Sequence, residues 1–319
     1  MFRPQIKVLD CTVRDGGLIN EHLFEDSFVK SVYDALAAAG IDYMEIGYKG
    51  SKKLFSPTRF GRWKFCEEDD IRRIVGDSGS SLKLSAMADV GKSDYHEDIL
   101  PKSQSALDMI RIATYVKEVD KAIDMVKDAH DKGYETTVNI MAVSTVLDFD
   151  LNEALEDLAA SEVETIYLVD SFGSLYSEQI QYMVKKYLKA VEGTGKQVGI
   201  HTHNNQQLAY ANTIEAIIAG ANRLDATIYG IGRGAGNCPL ELLIGFLKNP
   251  KFNLRPVLEA IQTTFVPLTE KIEWGYLIPY ALTGMFNQHP RSAIALRAGD
   301  DRDNYLKFYD EQVSRVDIG

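Results

Sequence analysis

The stretch Val198-Gly199-Ile200-His201-Thr202-His203-Asn204-Asn205 is an apolar run that ends in two histidines one residue apart. If the run is a β-strand, its alternation places the side chains of His201 and His203 on the same face. Two imidazoles on one face can share a metal ion, although the pair is equally compatible with two ordinary strand histidines. The rest of the chain decides between these interpretations, because further ligands must lie at the same end of the fold.

Apolar segments that favour strands alternate with amphipathic helical segments along the first 250 residues. The predicted strand–helix pairs are 6–12 with 25–39, 43–48 with 67–75, 82–88 with 94–103, 109–114 with 118–132, 136–143 with 152–160, 165–169 with 177–191, 197–203 with 207–219, and 223–229 with 239–247. Eight such units predict an α/β fold of parallel strands, and their number favours a closed TIM (β/α)8 barrel over an open doubly wound sheet. We therefore expect a barrel domain at residues 1–250 and a C-terminal helical extension at residues 251–319.

Two segments depart from the repeat. A basic and aromatic insertion occupies residues 49–66, and a loop of this length is typical of a lid or a contact surface. The extension is predicted to form helices at residues 254–272 and 276–285, whereas residues 298–319 are too charged to assign. Its aromatic residues indicate either packing over the barrel mouth or a contact in a homodimer.

The composition excludes several classes of function. A formal net charge of −11 without a basic stripe disfavours nucleic acid as a partner. The chain has no apolar run of about 18 residues that would predict a membrane span. The N-terminus Met1-Phe2-Arg3-Pro4-Gln5 lacks the apolar core of a signal peptide, so we expect a cytoplasmic protein. Three scattered cysteines predict reduced thiols rather than a disulfide framework.

Polar residues at the carboxyl ends of the predicted strands mark the candidate site, because TIM barrels place their chemistry there. These residues are Arg14, Asp15, Glu45, Tyr48, Asp89, Thr114, Tyr115, Asn139, Ser144, Asp170, Ser171, His201, His203, Asn204, Arg233 and Asn237. Asp15 is the candidate carboxylate ligand because it opens the first loop, although an aspartate there can also stabilise the Gly16-Gly17 turn. Two imidazoles and one carboxylate suit Mn²⁺, Mg²⁺, Fe²⁺, Co²⁺ or Zn²⁺. Oxygen-rich surroundings without cysteine ligands favour Mn²⁺ or Mg²⁺.

Three motifs in a fixed order make the pattern more specific. They are Val8-Leu9-Asp10-Cys11-Thr12-Val13-Arg14-Asp15-Gly16-Gly17, Gly199-Ile200-His201-Thr202-His203-Asn204, and Gly230-Ile231-Gly232-Arg233-Gly234-Ala235-Gly236-Asn237. Together they resemble the DRE-TIM metallolyase family, which includes 3-hydroxy-3-methylglutaryl-CoA lyase, isopropylmalate and homocitrate synthases, and 4-hydroxy-2-oxovalerate aldolase. The resemblance implies that Arg14 binds an oxyanion. It also implies that Asp15, His201 and His203 are metal ligands and that Asn237 is a candidate further ligand.

The segment Gly236-Asn237-Cys238-Pro239-Leu240-Glu241 is most similar to the 4-hydroxy-2-oxoacid aldolases of this family. That branch places its catalytic histidine three residues after the ligand aspartate, where this chain has Leu18. His22, Tyr48, Asp89 and a metal-bound water are therefore the candidates for the base. The related aldolases also contact a partner dehydrogenase through a C-terminal segment, but this chain is short for that module, so a dehydrogenase partner is left open.

The resemblance implies a divalent-metal-dependent carbon–carbon lyase that acts on a small 2-oxoacid and an aldehyde. The expected reaction cleaves or forms a 4-hydroxy-2-oxoacid through a pyruvate enolate. The expected catalytic residues are Arg14, His22 and Tyr48, and the expected substrate-binding residues are Arg14, Glu45, Asp89, Ser144 and Asp170. One alternative is a Claisen-type condensation of an acyl-CoA, in which the basic insertion holds the CoA phosphates. Another is a metal-binding barrel without catalysis.

Overall fold

The computed structural model describes residues 3–76 and 79–316, so the expectations for Met1, Phe2 and residues 317–319 lie outside it. Eight parallel strands of the described chain form a closed barrel in sequence order, which confirms the TIM-barrel prediction. The strands are Lys7–Asp10 (β1), Tyr43–Tyr48 (β2), Lys83–Asp89 (β3), Met109–Thr114 (β4), Glu135–Ile140 (β5), Thr165–Asp170 (β6), Gln197–Thr202 (β7) and Arg223–Ala226 (β8). Leu9 of β1 lies opposite Tyr43 of β2 and opposite Asp225 of β8, which closes the ring.

Helices cover the outside of the barrel and continue into the extension. The α-helices are Thr12–Gly16 (α1), Asp26–Ala39 (α2), Glu68–Val75 (α3), Tyr95–Asp98 (α4), Val119–Asp131 (α5), Asp148–Ala160 (α6), Ser177–Ala190 (α7), Ala209–Ala219 (α8), Leu240–Leu247 (α9), Leu254–Ala260 (α10), Val266–Leu268 (α11), Ile278–Met285 (α12), Arg291–Ala298 (α13) and Tyr305–Val316 (α14). Short 3₁₀ turns span Gly17–Ile19, Arg62–Lys64, Lys102–Gln104, Val116–Glu118, Val143–Thr145 and Ile228–Gly230, and a π-helix spans Ile261–Phe265. Within the described residues, no helix combines the length and the apolar character needed to cross a bilayer.

Helix α2 shows how the sequence pattern builds the outer layer. Its buried residues Val29, Val32, Tyr33 and Leu36 recur at helical spacing and face the barrel. Gly40 then ends the helix with a φ of 73°, and its N–H reaches the carbonyls of the last turn. A left-handed residue at this position favours glycine, which explains why the predicted and observed ends agree.

The helix predicted at residues 94–103 was wrong in extent. Only Tyr95–Asp98 is α-helical, and a 3₁₀ turn follows at Lys102–Gln104. Pro101 explains the break, because a residue that precedes proline is pushed out of the helical region. The last predicted strand was also too long, since β8 ends at Ala226 and a 3₁₀ turn spans Ile228–Gly230.

The extension first packs on the barrel wall and then crosses the barrel mouth. Phe265 is fully buried with its ring 5.5 Å from that of Phe28 on α2. Further along, Asn205 after β7 donates from Nδ2 to the carbonyl of Tyr280 at 3.2 Å. Asn287 donates to the carbonyl of Ser144 after β5 at 3.0 Å. The aromatic extension therefore lies against loops at the carboxyl ends of the strands, the first of the two arrangements expected for it, whereas the homodimer stays a prediction.

Candidate active site

Asp15, His201 and His203 meet at the carboxyl end of the barrel. Asp15 lies on the short helix α1 directly after β1, His201 lies in β7, and His203 follows β7. Each offers a ligand atom within 4.8 Å of the others, and the two imidazole centroids are 5.0 Å apart. All three side chains are buried. An isolated bridge between His203 and Asn237 brings the loop after β8 to the same place.

Unpartnered polar atoms show that this cluster fits a divalent cation. Nε2 of His201, Nδ1 of His203 and Oδ1 of Asn237 are buried without a hydrogen-bond partner. The Asn237 amide nitrogen donates to Asp15 at 2.6 Å, which leaves only its oxygen without a partner. A buried polar atom without a partner costs about 1–3 kcal/mol, and coordination by a cation would remove that cost. Two imidazole nitrogens with carboxylate and amide oxygens are suitable donors for a divalent metal.

A second cluster of potential ligands, Cys11, His201 and Asp225, shares His201 with the first. Asp225 Oδ2 lies 3.0 Å from Nδ1 of His201 and also accepts a hydrogen bond from Arg111 at 2.7 Å. A carboxylate at Nδ1 orients the imidazole and leaves Nε2 for a cation. Burial raises the pKa of the Cys11 thiol well above its usual range, so it stays protonated. Asp225 therefore orients a ligand of the first cluster, and a protonated Cys11 is not a metal ligand.

The protonation states of the cluster suit metal binding. Burial opposes ionisation of Asp15, but attraction to Arg14 and then to the two histidines holds its pKa well below the usual range. Burial also lowers the pKa of His203 well below its ordinary value. An ionised carboxylate beside a neutral imidazole is the combination that a metal requires.

Arg14 is held in place by two carboxylates. Its Nη1 donates to Asp15 Oδ1 at 2.7 Å, and its Nε donates to Glu45 Oε2 at 2.7 Å. Glu45 also lies 3.2 Å from Nη1 of Arg111 and is completely buried. Glu45 is not among the described residues that line the cavity, and its contacts position Arg14. Its expected contact with the substrate stays a prediction.

A cavity of about 170 Å³ opens beside the cluster at the barrel mouth. Among the described residues, it is lined by Arg14, Asp15, Leu18, Tyr48, Met87, Asp89, Lys92, Ala113, Tyr115, Asn139, Met141, Val169, Ser171, His201, His203, Arg233, His289 and Arg291. The structure thus brings together residues from both ends of the chain. Lys92, His289 and Arg291 were missed as site residues, because no local pattern shows that their loops reach this cavity.

Ser144 and Asp170 are not among the described residues that line the cavity, and their expected roles in substrate binding stay predictions. Asp170 accepts backbone N–H groups of Ser174 at 3.0 Å and Leu175 at 3.4 Å, so it shapes the loop after β6. Burial raises its pKa to about 7. The Ser144 carbonyl accepts the hydrogen bond that anchors the extension. Asp170 ends β6 and Ser144 follows β5, so both lie at carboxyl ends of strands, and the Ser144 hydroxyl is buried without a hydrogen-bond partner.

His22 is buried behind Tyr48 and does not line the cavity. The two rings meet edge to face with centroids 5.2 Å apart. Burial, followed by repulsion from Lys64 and Arg14, lowers the pKa of His22 to about 3. A weakly basic imidazole outside the cavity is poorly placed to take a proton from the substrate. The expected catalytic role of His22 therefore has no geometric support.

Tyr48 and Asp89 both line the cavity, where one can donate and the other can accept a hydrogen bond. Burial raises the pKa of Tyr48 above its usual range, so the phenol remains a donor at neutral pH. Asp89 has one carboxylate oxygen 3.2 Å from Lys92. Its other oxygen, Oδ1, is buried without a hydrogen-bond partner. Asp89 therefore offers an acceptor at the cavity, and Tyr48 offers a proton.

The closed barrel and its carboxyl-end histidines and aspartate define a TIM barrel with a candidate metal centre. Comparison with known families identifies the class further: the chain belongs to the HMGL-like family, which matches residues 5–265. This confirms the resemblance to DRE-TIM metallolyases.

The relatives narrow the class of enzyme. The chain is 32% identical over 246 residues to 4-hydroxy-2-oxovalerate aldolase 2 of Mycolicibacterium smegmatis, covering 76% of this chain and 69% of the relative. It is also 32% identical over 247 residues to an oxaloacetate decarboxylase of Mycobacterium tuberculosis, with 76% and 69% covered. The crystal structure of the N-terminal domain of a putative aldolase from Bacteroides vulgatus matches with a TM-score of 0.76 and 29% identity, covering 95% of this chain and all of that one. These matches confirm that the chain is an enzyme of the carbon–carbon lyase class.

Proposed function

We propose that this chain is a divalent-metal-dependent aldolase that cleaves or forms a 4-hydroxy-2-oxoacid through a pyruvate enolate. The observation that carries the proposal is the set of unpartnered atoms on His201, His203 and Asn237, which lies beside Asp15 and Arg14. The 32% identity to a protein named 4-hydroxy-2-oxovalerate aldolase supports the same reaction. A small 2-oxoacid and an aldehyde are then the cleavage products.

The metal and Arg14 have separate tasks in this proposal. A divalent cation bound by Asp15, His201, His203 and Asn237 would act as a Lewis acid on a 2-oxoacid, and Mn²⁺ or Mg²⁺ suits these ligands best. Arg14 is fixed before substrate binds, because Glu45 and Asp15 hold its Nε and Nη1. Its Nη2 forms no hydrogen bond within residues 3–76 and 79–316, so this donor is free for the oxygen on which enolate charge develops.

Asp89 is the proposed base and Tyr48 the proposed proton donor. In cleavage, Asp89 accepts the proton of the C4 hydroxyl while the C3–C4 bond breaks and C4 becomes the aldehyde carbonyl carbon. The electron pair of that bond passes into the enolate, which takes a proton at C3 to give pyruvate. Asp89 is preferred over His22 because its unpartnered Oδ1 belongs to a residue of the cavity lining.

Decarboxylation of a 2-oxoacid with a C4 carboxylate is a second candidate function. Leu18 replaces the histidine expected as base, and loss of CO₂ forms a pyruvate enolate without a hydroxyl proton to remove. A relative at 32% identity is named oxaloacetate decarboxylase. The acyl-CoA alternative has less support, because no described residue of the insertion at 49–66 lines the cavity.

The test is steady-state turnover of 4-hydroxy-2-oxovalerate and of oxaloacetate, with chelated protein and after addition of Mn²⁺. We expect Mn²⁺-dependent cleavage and about one bound ion per chain. The double variant His201→Ala/His203→Ala should lose both, whereas His130→Ala, an exposed histidine on α5, should lose neither. Full metal content in the double variant, or undiminished cleavage by chelated protein, would contradict the proposal.

A further inference from the structure

The cavity has an excess of positive charge in a protein whose net charge is −11. Among the described residues, four Lys or Arg side chains and two carboxylates line it. Arg14 is neutralised by Asp15 and Glu45, and Lys92 is paired with Asp89. The remaining cations are Arg233 and Arg291, and neither forms an ion pair with any part of the chain that the structure describes.

Arg233 is anchored through only part of its guanidinium group. Its Nη2 donates to the carbonyl of Ser171 at 2.7 Å, whereas its Nε is buried without a hydrogen-bond partner. Burial lowers the pKa of Arg233, although the group remains charged at neutral pH. Asp15 attracts this partly buried guanidinium but forms no ion pair with it, so an anionic ligand would further stabilise the charge.

His289 contacts both arginines, and one of these two contacts has no hydrogen-bond acceptor. Its Nδ1 accepts the backbone N–H of Arg291 at 3.1 Å, and its Nε2 lies 3.2 Å from Nη1 of Arg233. Burial, followed by repulsion from Arg233 and Arg291, lowers the pKa of His289 to about 4, so the ring is neutral. A neutral imidazole accepts at only one nitrogen, so one of these contacts sets a donor against a donor. An anion at this position would accept from both groups.

We propose that Arg291, His289 and Arg233 form a receptor for a second carboxylate of the substrate, at the end remote from its 2-oxoacid group. The inference rests on the proposed function, and it names the substrate class as 4-hydroxy-2-oxo dicarboxylic acids, which yield pyruvate and a carboxylate-bearing aldehyde. A carboxylate suits the site because its two oxygens match the planar fork of guanidinium donors.

The position of Arg291 makes this receptor a feature of the extension. The match to the HMGL-like family ends at residue 265. His289 and Arg291 lie beyond it, and Arg291 is the first residue of α13. The barrel thus supplies the candidate metal cluster, Arg14 and Arg233, and the extension supplies His289 and Arg291.

The first experiment measures binding to the Mn²⁺-loaded protein by calorimetry. The ligands are 2-oxoglutarate and 2-oxopentanoate, which differ only by a carboxylate or a methyl group at C5. We expect 2-oxoglutarate to bind about 10- to 100-fold more tightly, the range for hydrogen bonds to charged groups. Arg291→Leu should abolish this preference, Arg291→Lys should keep part of it, and 2-oxopentanoate should bind all variants equally.

The matched control is Arg255→Leu, which removes an exposed arginine of the extension that pairs with Glu259 on α10. This variant should retain the full preference for 2-oxoglutarate, and thermal melting should show that every variant is folded. Absence of the preference in the wild type, failure of 2-oxoglutarate to bind, or an unchanged preference in Arg291→Leu would each overturn the proposal.

The second experiment separates this inference from the proposed function. It compares kcat/KM for cleavage of 4-hydroxy-2-oxoglutarate and 4-hydroxy-2-oxovalerate, which carry the same difference at C5. The wild type should prefer the dicarboxylate, and Arg291→Leu should lose that preference while it still cleaves 4-hydroxy-2-oxovalerate. If neither compound is cleaved but 2-oxoglutarate is still bound through Arg291, the aldolase proposal fails and the receptor stands. If both are cleaved equally by the wild type, the receptor is wrong and the aldolase proposal stands.

Discussion

Two basic regions of this molecule differ in how their charges are compensated. The insertion at residues 49–66 carries six Lys or Arg residues, whereas the cavity wall formed by Arg233, His289 and Arg291 carries two. Five cations of the insertion form ion pairs: Lys49 with Glu68, Lys52 with Glu67, Lys53 with Asp94, Arg59 with Glu21, and Arg62 with Asp70. The two arginines of the cavity wall form none within the described residues.

Lys64 is the exception within the insertion. Its Nζ lies 4.0 Å from the ring centroid of Tyr48 and 4.1 Å from that of Phe55, so aromatic rings rather than carboxylates surround it. The insertion therefore holds Tyr48, a residue of the cavity lining, from behind. The difference between the two regions shows that the density of positive charge along the sequence does not tell which cations lack an ion-pair partner in the fold.

The largest effect is expected for Arg14, and it tests whether catalysis depends on the cavity rather than on the insertion. Arg14→Gln should lower kcat for aldol cleavage by roughly 10²- to 10³-fold, because it removes a preorganised donor to the developing enolate. Metal content should be unchanged, since Arg14 stabilises the transition state rather than the ion. Arg62→Gln makes the same substitution in the insertion and should change kcat less than about twofold. An equal loss of kcat in both variants would contradict the assignment of catalysis to the cavity.

Asp225→Asn is expected to have the next largest effect. The amide removes the carboxylate that orients His201 at 3.0 Å, and such a change typically weakens metal binding by about 10- to 100-fold. Competition with a fluorescent chelator for Mn²⁺ measures the affinity. Asp94→Asn, which removes a partner of Lys53 beside the insertion, is the control that should leave the affinity unchanged. An Asp225→Asn protein with wild-type affinity would show that His201 needs no support.

The third expected effect concerns stability and sharpens the role of Lys64. Burial lowers the pKa of Lys64 from 10.5 to about 8. Between these values the unfolded chain binds more protons than the folded one, so the free energy of unfolding should rise as the pH increases from 8 to 10.5. This rise in the free energy of unfolding is at most about 3.5 kcal/mol, at roughly 1.4 kcal/mol per pKa unit. Urea titrations should show that Lys64→Met loses this contribution and that Lys52→Met, at an exposed paired lysine, keeps it. Identical pH profiles for wild type and Lys64→Met would contradict the burial of this charge.

The smallest expected effect is that of an exposed ion pair in the insertion. Arg59→Ala removes the contact with Glu21 at 2.7 Å, where the Arg59 side chain is 68% exposed. Such pairs contribute less than about 1 kcal/mol, because water already solvates both charges. Urea unfolding should detect at most this change, and turnover of either candidate substrate should stay at the wild-type level. A large loss of turnover would assign the insertion a function that its paired charges do not suggest.

The sequence alone was sufficient to predict the barrel and the residues of the candidate metal cluster. Strand and helix periodicities are local, so eight repeats could be counted before any contact was known, and closure in sequence order followed. The His-x-His pattern and the aspartate after β1 were also local signals, and the barrel brings the ends of its strands to one rim. Asp15, His201 and His203 could therefore be placed together without coordinates.

Only the tertiary structure decided which groups support and complete that cluster. Asp225 was missed because its contact with His201 joins the neighbouring strands β7 and β8, whose side-chain pairing the sequence does not show. His22 proved to be buried behind Tyr48 and is not among the described residues that line the cavity. Arg291 reaches the cavity from α13, far from the strands in sequence, through packing of the extension on loops at the barrel mouth. Periodicity reports which face of an element is buried, but the pairing of charges depends on contacts between residues distant in the chain. Those contacts separate the compensated charges of the insertion from the uncompensated charges of the cavity wall.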